Sequence, residues 1–233
     1  MNQNILYLIA VIFGVIHIVL RSDYYKPFVT IAKLKSWSPN KTLKVVLLSS
    51  IGHVLGTVVI SAVGLVPAIM VARLSYFSRM KETILVWFVI LFGVFFIVYG
   101  IRQAYRSRPH KHLQLNADGT YHTHTHIHKK DSAIVEKLTK NKKPSIWSIV
   151  VTYTLSPFEA LVVIQVWPLM KSHYMMIIVV TFIFSAAIII TMLIMSYLVI
   201  HGKRFDRLKR TGLFSYIIIG VLILVYGLAL MFL

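Results

Sequence analysis

Tyr174 to Ile200 reads YMMIIVVTFIFSAAIIITMLIMSYLVI, 27 residues without one charged side chain. A helix rises about 1.5 Å per residue and the hydrocarbon core of a bilayer is about 30 Å thick, so about 20 apolar residues cross it. The stretch therefore reads as a membrane span. Five others join it, at 4–20, 45–70, 83–101, 146–168 and 212–233, and none of the six contains Lys or Arg. The composition agrees: of 233 residues 58% are hydrophobic and only 14% are charged, against about a quarter charged in a soluble domain. The fold class expected is all-α, a polytopic membrane protein of six transmembrane helices. No basic n-region or small-residue cleavage site accompanies the first apolar run, so it is expected to stay as a span rather than be removed as a signal peptide.

The 25 Lys and Arg residues stand against 7 Asp and Glu, a net charge of +18. On a soluble chain such a charge would suggest nucleic acid. Here the basic residues sit between apolar runs, and no nucleic-acid motif accompanies them. The first, third and fifth connections hold 6, 10 and 5 of them, while the second and fourth hold 3 and 1. Positive-inside reasoning places the odd connections in the cytoplasm and both termini outside. The expected location is the inner (plasma) membrane. Three units follow: a three-helix half at 1–101, a His-rich basic cytoplasmic loop at 102–145 and a second three-helix half at 146–233. An odd number of spans per half gives the halves opposite topology, a 3+3 inverted repeat of the kind found in transporters.

In the first connection, Lys26 to Trp37 (KPFVTIAKLKSW) puts Phe28, Ile31, Ala32 and Leu34 on one face. It is expected to form a short amphipathic helix lying at the membrane surface. Ser38-Pro39 then reads as a helix N-cap and first-turn proline. The absence of cysteine excludes disulfides, Cys-ligated zinc, iron–sulfur clusters and thiol redox chemistry. There is no nucleotide-binding, serine–histidine or paired-aspartate motif, so no enzyme activity is expected.

Polar residues inside spans are costly and mark function. Glu159 is the one acid of the seven that falls in a span. Thr152, Ser156 and Glu159 follow at i, i+4 and i+7 on one helical face, and Pro157 loosens the helix beside the carboxylate. On the second span Ser50, His53, Thr57 and Ser61 form a polar stripe, flanked by the Gly52/Gly56 pair that admits close helix approach. His17 lies near the inner end of the first span, six residues before Asp23. By depth, His17, His53 and Glu159 all fall between the inner interface and the midplane. Imidazole with carboxylate suits Ni²⁺, Co²⁺ or Zn²⁺. Each histidine alone also fits an interhelical hydrogen bond.

The central loop carries His122, His124, His126 and His128 at alternate positions. Asn116-Ala117-Asp118-Gly119 is a turn signal between two alternating runs, so a β-hairpin is expected, with those four imidazoles on one face. Such a ladder suits late first-row metals; a solvated polar loop is the plain alternative.

Taken together, His17-Ile18-Val19-Leu20-Arg21-Ser22-Asp23, Pro27-Phe28, Trp37-Ser38, Gly52-His53-Val54-Leu55-Gly56, the His-rich loop and Ser156-Pro157-Phe158-Glu159-Ala160-Leu161 resemble the urease-accessory-type membrane proteins. These are similar to the NicO nickel/cobalt transporters of the LysE-like superfamily. The resemblance runs through the chain in order and implies His17, Asp23, His53 and Glu159 as pathway residues. Tyr24 stands where the pattern has a His, and the preceding spacer is one residue longer.

The expected function is transport of a divalent transition metal, nickel or cobalt foremost, through a site of His17, His53 and Glu159. Asp23 would stand at the inner mouth, with Ser156 on the pathway and the loop histidines gathering cytoplasmic metal. No permanently bound cofactor is expected. The expected partners are the bilayer, the ion, and either a second copy of the chain or a metallochaperone. The alternative is a non-transporting accessory protein that binds metal and hands it over for metalloenzyme maturation.

Overall fold

The structure, a computed structural model, describes residues 2–21, 24–73, 80–106, 110–115, 121–126, 160–202 and 206–232. The described residues form helices α1 (Gln3–Leu20), α2 (Lys26–Leu34), α3 (Pro39–Arg73) and α4 (Lys81–Arg106), then the strands β1 (His110–Leu115) and β2 (Tyr121–His126). Helices α5 (Ala160–Met170), α6 (Tyr174–Ile200) and α7 (Asp206–Leu230) complete them. Four helices are long and apolar enough to cross a membrane: α1, α3 through Pro39–Val66, α4 through Glu82–Tyr105, and α6. Leu161–Met170 of α5 and Phe214–Leu230 of α7 are shorter apolar stretches. Most of the expected fourth span, 146–159, lies outside the described residues.

Apart from the polar stripe of α3, the long helices are largely apolar around their circumference, so polarity does little to choose their inner faces. Packing decides. Leu6, Ala10, Phe13 and His17 of α1 recur at helical spacing and are buried, as are Val180, Phe184, Ile188 and Met192 of α6. The two helices pack together, and a Cβ built on Gly14 would stand only 2.9 Å from Ala187 Cβ. On the opposite faces Leu8 and Val11 of α1 and Ile178 and Phe182 of α6 are exposed. An apolar outside of this extent is a surface that lipid solvates and water does not.

The closest approach is between α4 and α7. A Cβ on Gly93 would stand 2.7 Å from Leu224 N and 3.1 Å from Gly220 O. A Cβ on Gly220 would stand 2.7 Å from Ile97 N and 2.9 Å from Gly93 O. Seven residues along each helix, Gly100 meets Ile217 N at 2.7 Å and Gly227 meets Ile90 N at 3.2 Å. The contacts are reciprocal, backbone against backbone. Lipid tails are as apolar as Leu, so helix association in a membrane relies on such close van der Waals contact.

Helix ends follow local chemistry. Ser38 caps α3 as expected: its Oγ accepts from Lys41 N at 3.3 Å, with Pro39 as the first helical residue. This lengthens α3 to 35 residues, six residues ahead of the expected start of its span. Helix α2 forms where expected, but its apolar residues Phe28, Val29, Ile31 and Ala32 are buried and it packs on α3 and α6. The amphipathic face that the sequence marked out is thus docked on protein.

Two helices close on serine in the left-handed region. At Ser36 (φ 49°), Trp37 N donates to Ala32 O at 2.8 Å; at Ser172 (φ 57°), His173 N donates to Pro168 O at 2.8 Å. Glycine is the usual residue there because it has no Cβ to clash. Ser172→Gly is expected to stabilise the α5–α6 turn by about 0.5–1 kcal/mol, read as a higher midpoint of thermal unfolding in detergent. An unchanged or lower midpoint would contradict it. The same turn holds Lys171, whose Nζ lies 3.5 Å from Glu82 Oε1 of α4, an exposed pair worth less than about 1 kcal/mol.

Candidate functional site

The interior of the bundle is polar along one line. On α3, Ser49, Ser50, His53, Thr57 and Ser61 are all buried. Their spacing keeps the last four on one helical face. The hydroxyls of Ser50 and Thr57 donate back into their own helix, to Leu47 O at 2.8 Å and His53 O at 2.9 Å. That arrangement satisfies each donor and leaves the oxygen as an acceptor toward the interior.

At one point of this line α1 contributes His17, whose ring lies parallel to that of His53, with centroids 5.9 Å apart and 8° between planes. Both are fully buried. Tyr24 leans across the pair, 5.0 Å from His17 and 4.8 Å from His53. Arg21, at the C-terminal end of α1, lies 4.7 Å above the Tyr24 ring and 5.0 Å from that of Tyr216 on α7. A guanidinium between two aromatic faces is held by their quadrupoles, and the helix C-terminus favours its charge. Tyr24 thus closes the histidine pair with an aromatic ring.

At the other end of the line, about 12 Å along α3 from His53, Ser61 meets Gln165 of α5. The Ser61 hydroxyl donates to Gln165 Oε1. The Gln165 amide in turn donates to Thr181 Oγ1 on α6 at 2.7 Å, and Thr181 donates to Ile177 O at 2.6 Å. Three helices are thus tied through one buried amide. Pro168, one turn further along α5, leaves the carbonyl of Ile164 without its helical donor, and the Tyr226 hydroxyl of α7 lies 3.5 Å from that oxygen.

The structure thus brings His17 and His53 together. Asp23, Ser156, Glu159 and His128 lie outside the described residues. His122, His124 and His126 stand on β2, which pairs antiparallel with β1 as the turn signal led one to expect. Among the described residues no group of three or more His, Asp or Glu is placed to hold a metal ion, and two imidazoles alone fall short of the three or four protein ligands usual for zinc-like ions.

Sequence reasoning passed over Tyr24 as a ring partner, and over Gln165 altogether. The signal for Gln165 was present: it is the one polar side chain in ALVVIQVWPLM, and the cost argument that singled out Glu159 applies to it as well. The fold and this seam define a helical membrane protein with a polar interior. No family model, curated protein or solved structure matches the chain.

Proposed function

We propose that the chain transports divalent transition-metal ions, Ni²⁺ or Co²⁺ foremost, across the cell membrane. The observation that carries this reading is the parallel His17–His53 pair, two fully buried imidazoles supplied by separate helices at the head of a line of buried hydroxyls. Burying two imidazoles in an apolar bundle is costly unless they are used, and neutral imidazole is a good ligand for Ni²⁺, Co²⁺ and Zn²⁺. In this reading Glu159 completes the site with an oxygen ligand, Ser156 adds a hydroxyl, and Asp23 stands at the inner mouth. The hydroxyls of Thr57 and Ser61 offer hard oxygen contacts along the route toward Gln165. The loop histidines gather ions on the cytoplasmic side.

The architecture belonging to this reading is six spans in two inverted halves, with both termini outside. The reciprocal contact of Gly93 with Gly220 supports it, with Gly100 set against Ile217 and Gly227 against Ile90: the third helix of each half carries glycines at the same seven-residue spacing, and each lies close to the other helix's backbone.

The test is metal flux into proteoliposomes carrying the purified chain and an enclosed metal-quenched dye. His17→Ala, His53→Ala and Glu159→Gln are each expected to abolish Ni²⁺ and Co²⁺ flux while the protein still elutes as a folded species. If His53→Ala and Glu159→Gln both leave flux at the wild-type rate, the pathway is not there. If wild-type protein binds the ion but moves none, the chain is an accessory that hands metal on.

A further inference from the structure

At one end of the bundle the start of α3 lies beside the end of α6. Leu43, Lys44 and Leu47 of the first and Leu193, Ile194 and Tyr197 of the second line a groove of about 450 Å³. Sites that hold small molecules span about 300–1,000 Å³. Leu47, Ile194 and Tyr197 are exposed, so the groove opens on the outside of the bundle and not on the polar interior. On that side it meets lipid, and Lys44 is the charged member of its wall.

Lys44 is the last charged residue before the uncharged run 45–72. A lysine so placed lays its stem along apolar surface and keeps its ammonium at headgroup level. Lys41 precedes it by three residues, which makes the two lysines neighbours on one helical face. Lys41 Nζ stands 5.1 Å from the centroid of the Trp37 ring. Trp and Tyr favour the membrane–water interface, so Trp37 beside α3 and Tyr197 on α6 set that interface at the height of the lysines. Tyr197 is itself held in place. The His201 ring lies against it with centroids 4.1 Å apart, and His201 Nδ1 donates to Tyr197 O at 2.9 Å.

The charge here is one-sided. The N-terminus of a helix carries a partial positive charge that favours an anion, yet α3 has no acidic residue in its first turn. Lys41 and Lys44 add two full positive charges within its first six residues. Among the described residues Glu82 is the one acidic side chain, and it pairs with Lys171 at the far end of α6. A positive rim over an apolar groove is complementary to an anionic head on an apolar tail.

We propose that the α3–α6 groove is a binding site for one anionic phospholipid. Its phosphate sits at Lys41 and Lys44, and one acyl chain runs down the groove along Leu43, Leu47, Leu193 and Ile194. A zwitterionic lipid fits the groove equally but brings an ammonium group of its own to the lysines, so the headgroup decides. Under the proposed topology this is the cytoplasmic end, where the leaflet is anionic. The site requires that the chain lie in a bilayer and does not depend on metal movement.

The experiment titrates the full chain in detergent micelles with phosphatidylglycerol or phosphatidylcholine of identical acyl chains. Bound lipid is counted by native mass spectrometry. Wild type is expected to hold one phosphatidylglycerol about fivefold or more tightly than phosphatidylcholine, since a lysine near an anionic surface contributes about that factor. Lys44→Gln should remove most of this preference, Lys44→Arg should keep it, and Lys41→Gln combined with Lys44→Gln should abolish it. Ile194→Trp fills the groove from an exposed position and should weaken both lipids alike. Lys33→Gln on α2, an exposed lysine outside the groove, should change nothing. All four positions are exposed, so each variant is expected to unfold at the wild-type temperature.

Equal affinity of wild type for the two lipids would overturn the proposal. So would a loss from Lys33→Gln equal to that from Lys44→Gln, because the attraction would then be one of net charge. Displacement of the bound lipid by inorganic phosphate at equal concentration, or unchanged binding in Ile194→Trp, would overturn it as well, because the groove would then hold no chain.

Discussion

Gly93→Ala is expected to lower the stability of the folded bundle by about 1–3 kcal/mol, although the same exchange inside a helix ordinarily gains about 1 kcal/mol. The sign is decided by what the new methyl group meets. At Gly93 it meets the backbone nitrogen of Leu224 at 2.7 Å, and a helix backbone cannot rotate away as a side chain can. The two helices must separate, and the contact along the whole pair weakens. Gly220→Ala should cost a similar amount, since its Cβ would stand 2.7 Å from Ile97 N. The contacts are reciprocal, so the first substitution already opens the gap that the second needs. The double variant is therefore expected to lose clearly less than the sum of the singles. Gly64→Ala is the contrast: its methyl group would meet only Val162 Cγ2 at 3.5 Å, an ordinary contact with a side chain, and the result should be neutral or a gain. Unfolding in mixed micelles of increasing denaturing detergent measures all four. A Gly93→Ala variant as stable as Gly64→Ala would mean that α4 and α7 do not meet backbone to backbone.

Gln165→Leu removes the amide that ties α3, α5 and α6, at nearly constant volume. Interhelical side-chain hydrogen bonds in membranes average about 0.6 kcal/mol and reach about 1.7. Two such bonds disappear, to Ser61 and Thr181, for an expected cost of about 1–2 kcal/mol. The cost is not larger because Thr181 keeps its bond to Ile177 O and the Ser61 hydroxyl can turn to its own helix, as Thr57 already does. Ser61→Ala should cost less than Gln165→Leu, since it leaves the bond from Gln165 to Thr181. Under the proposed function the leucine variant should also lose metal flux, because an apolar side chain then stands at the end of the hydroxyl line. Equal stability of Gln165→Leu and wild type in the same unfolding assay would remove the three-helix tie.

The spans at 4–20, 83–101 and 174–200 were legible because bilayer thickness imposes a length on the sequence, and α1, α4 and α6 follow it. Their partners were not legible. The pairing of α4 with α7 depends on glycines 120 or more residues apart along the chain, and each reads locally only as a weak helix residue. The meeting of His17 and His53 followed from counting depth along two helices. The Tyr24 ring against both did not, because Tyr24 begins the turn after α1 and depth counting stops at the end of a span. The burial of α2 was missed because amphipathicity says that a face will be covered and leaves open by what.

The glycine contact between α4 and α7 also has a mechanical side. Where the glycines meet, almost no side chain lies between the helices, so a slide there drives one backbone into the other. Under the proposed transport the pair would act as a stator. A change of shape that opens the bundle first to one side and then to the other would then fall to α1, α3, α5 and α6, with α1 and α6 themselves held close at Gly14. The His17–His53 pair and the Gln165 tie both lie between those helices. In that reading the polar seam moves and the glycine-lined pair stays where it is.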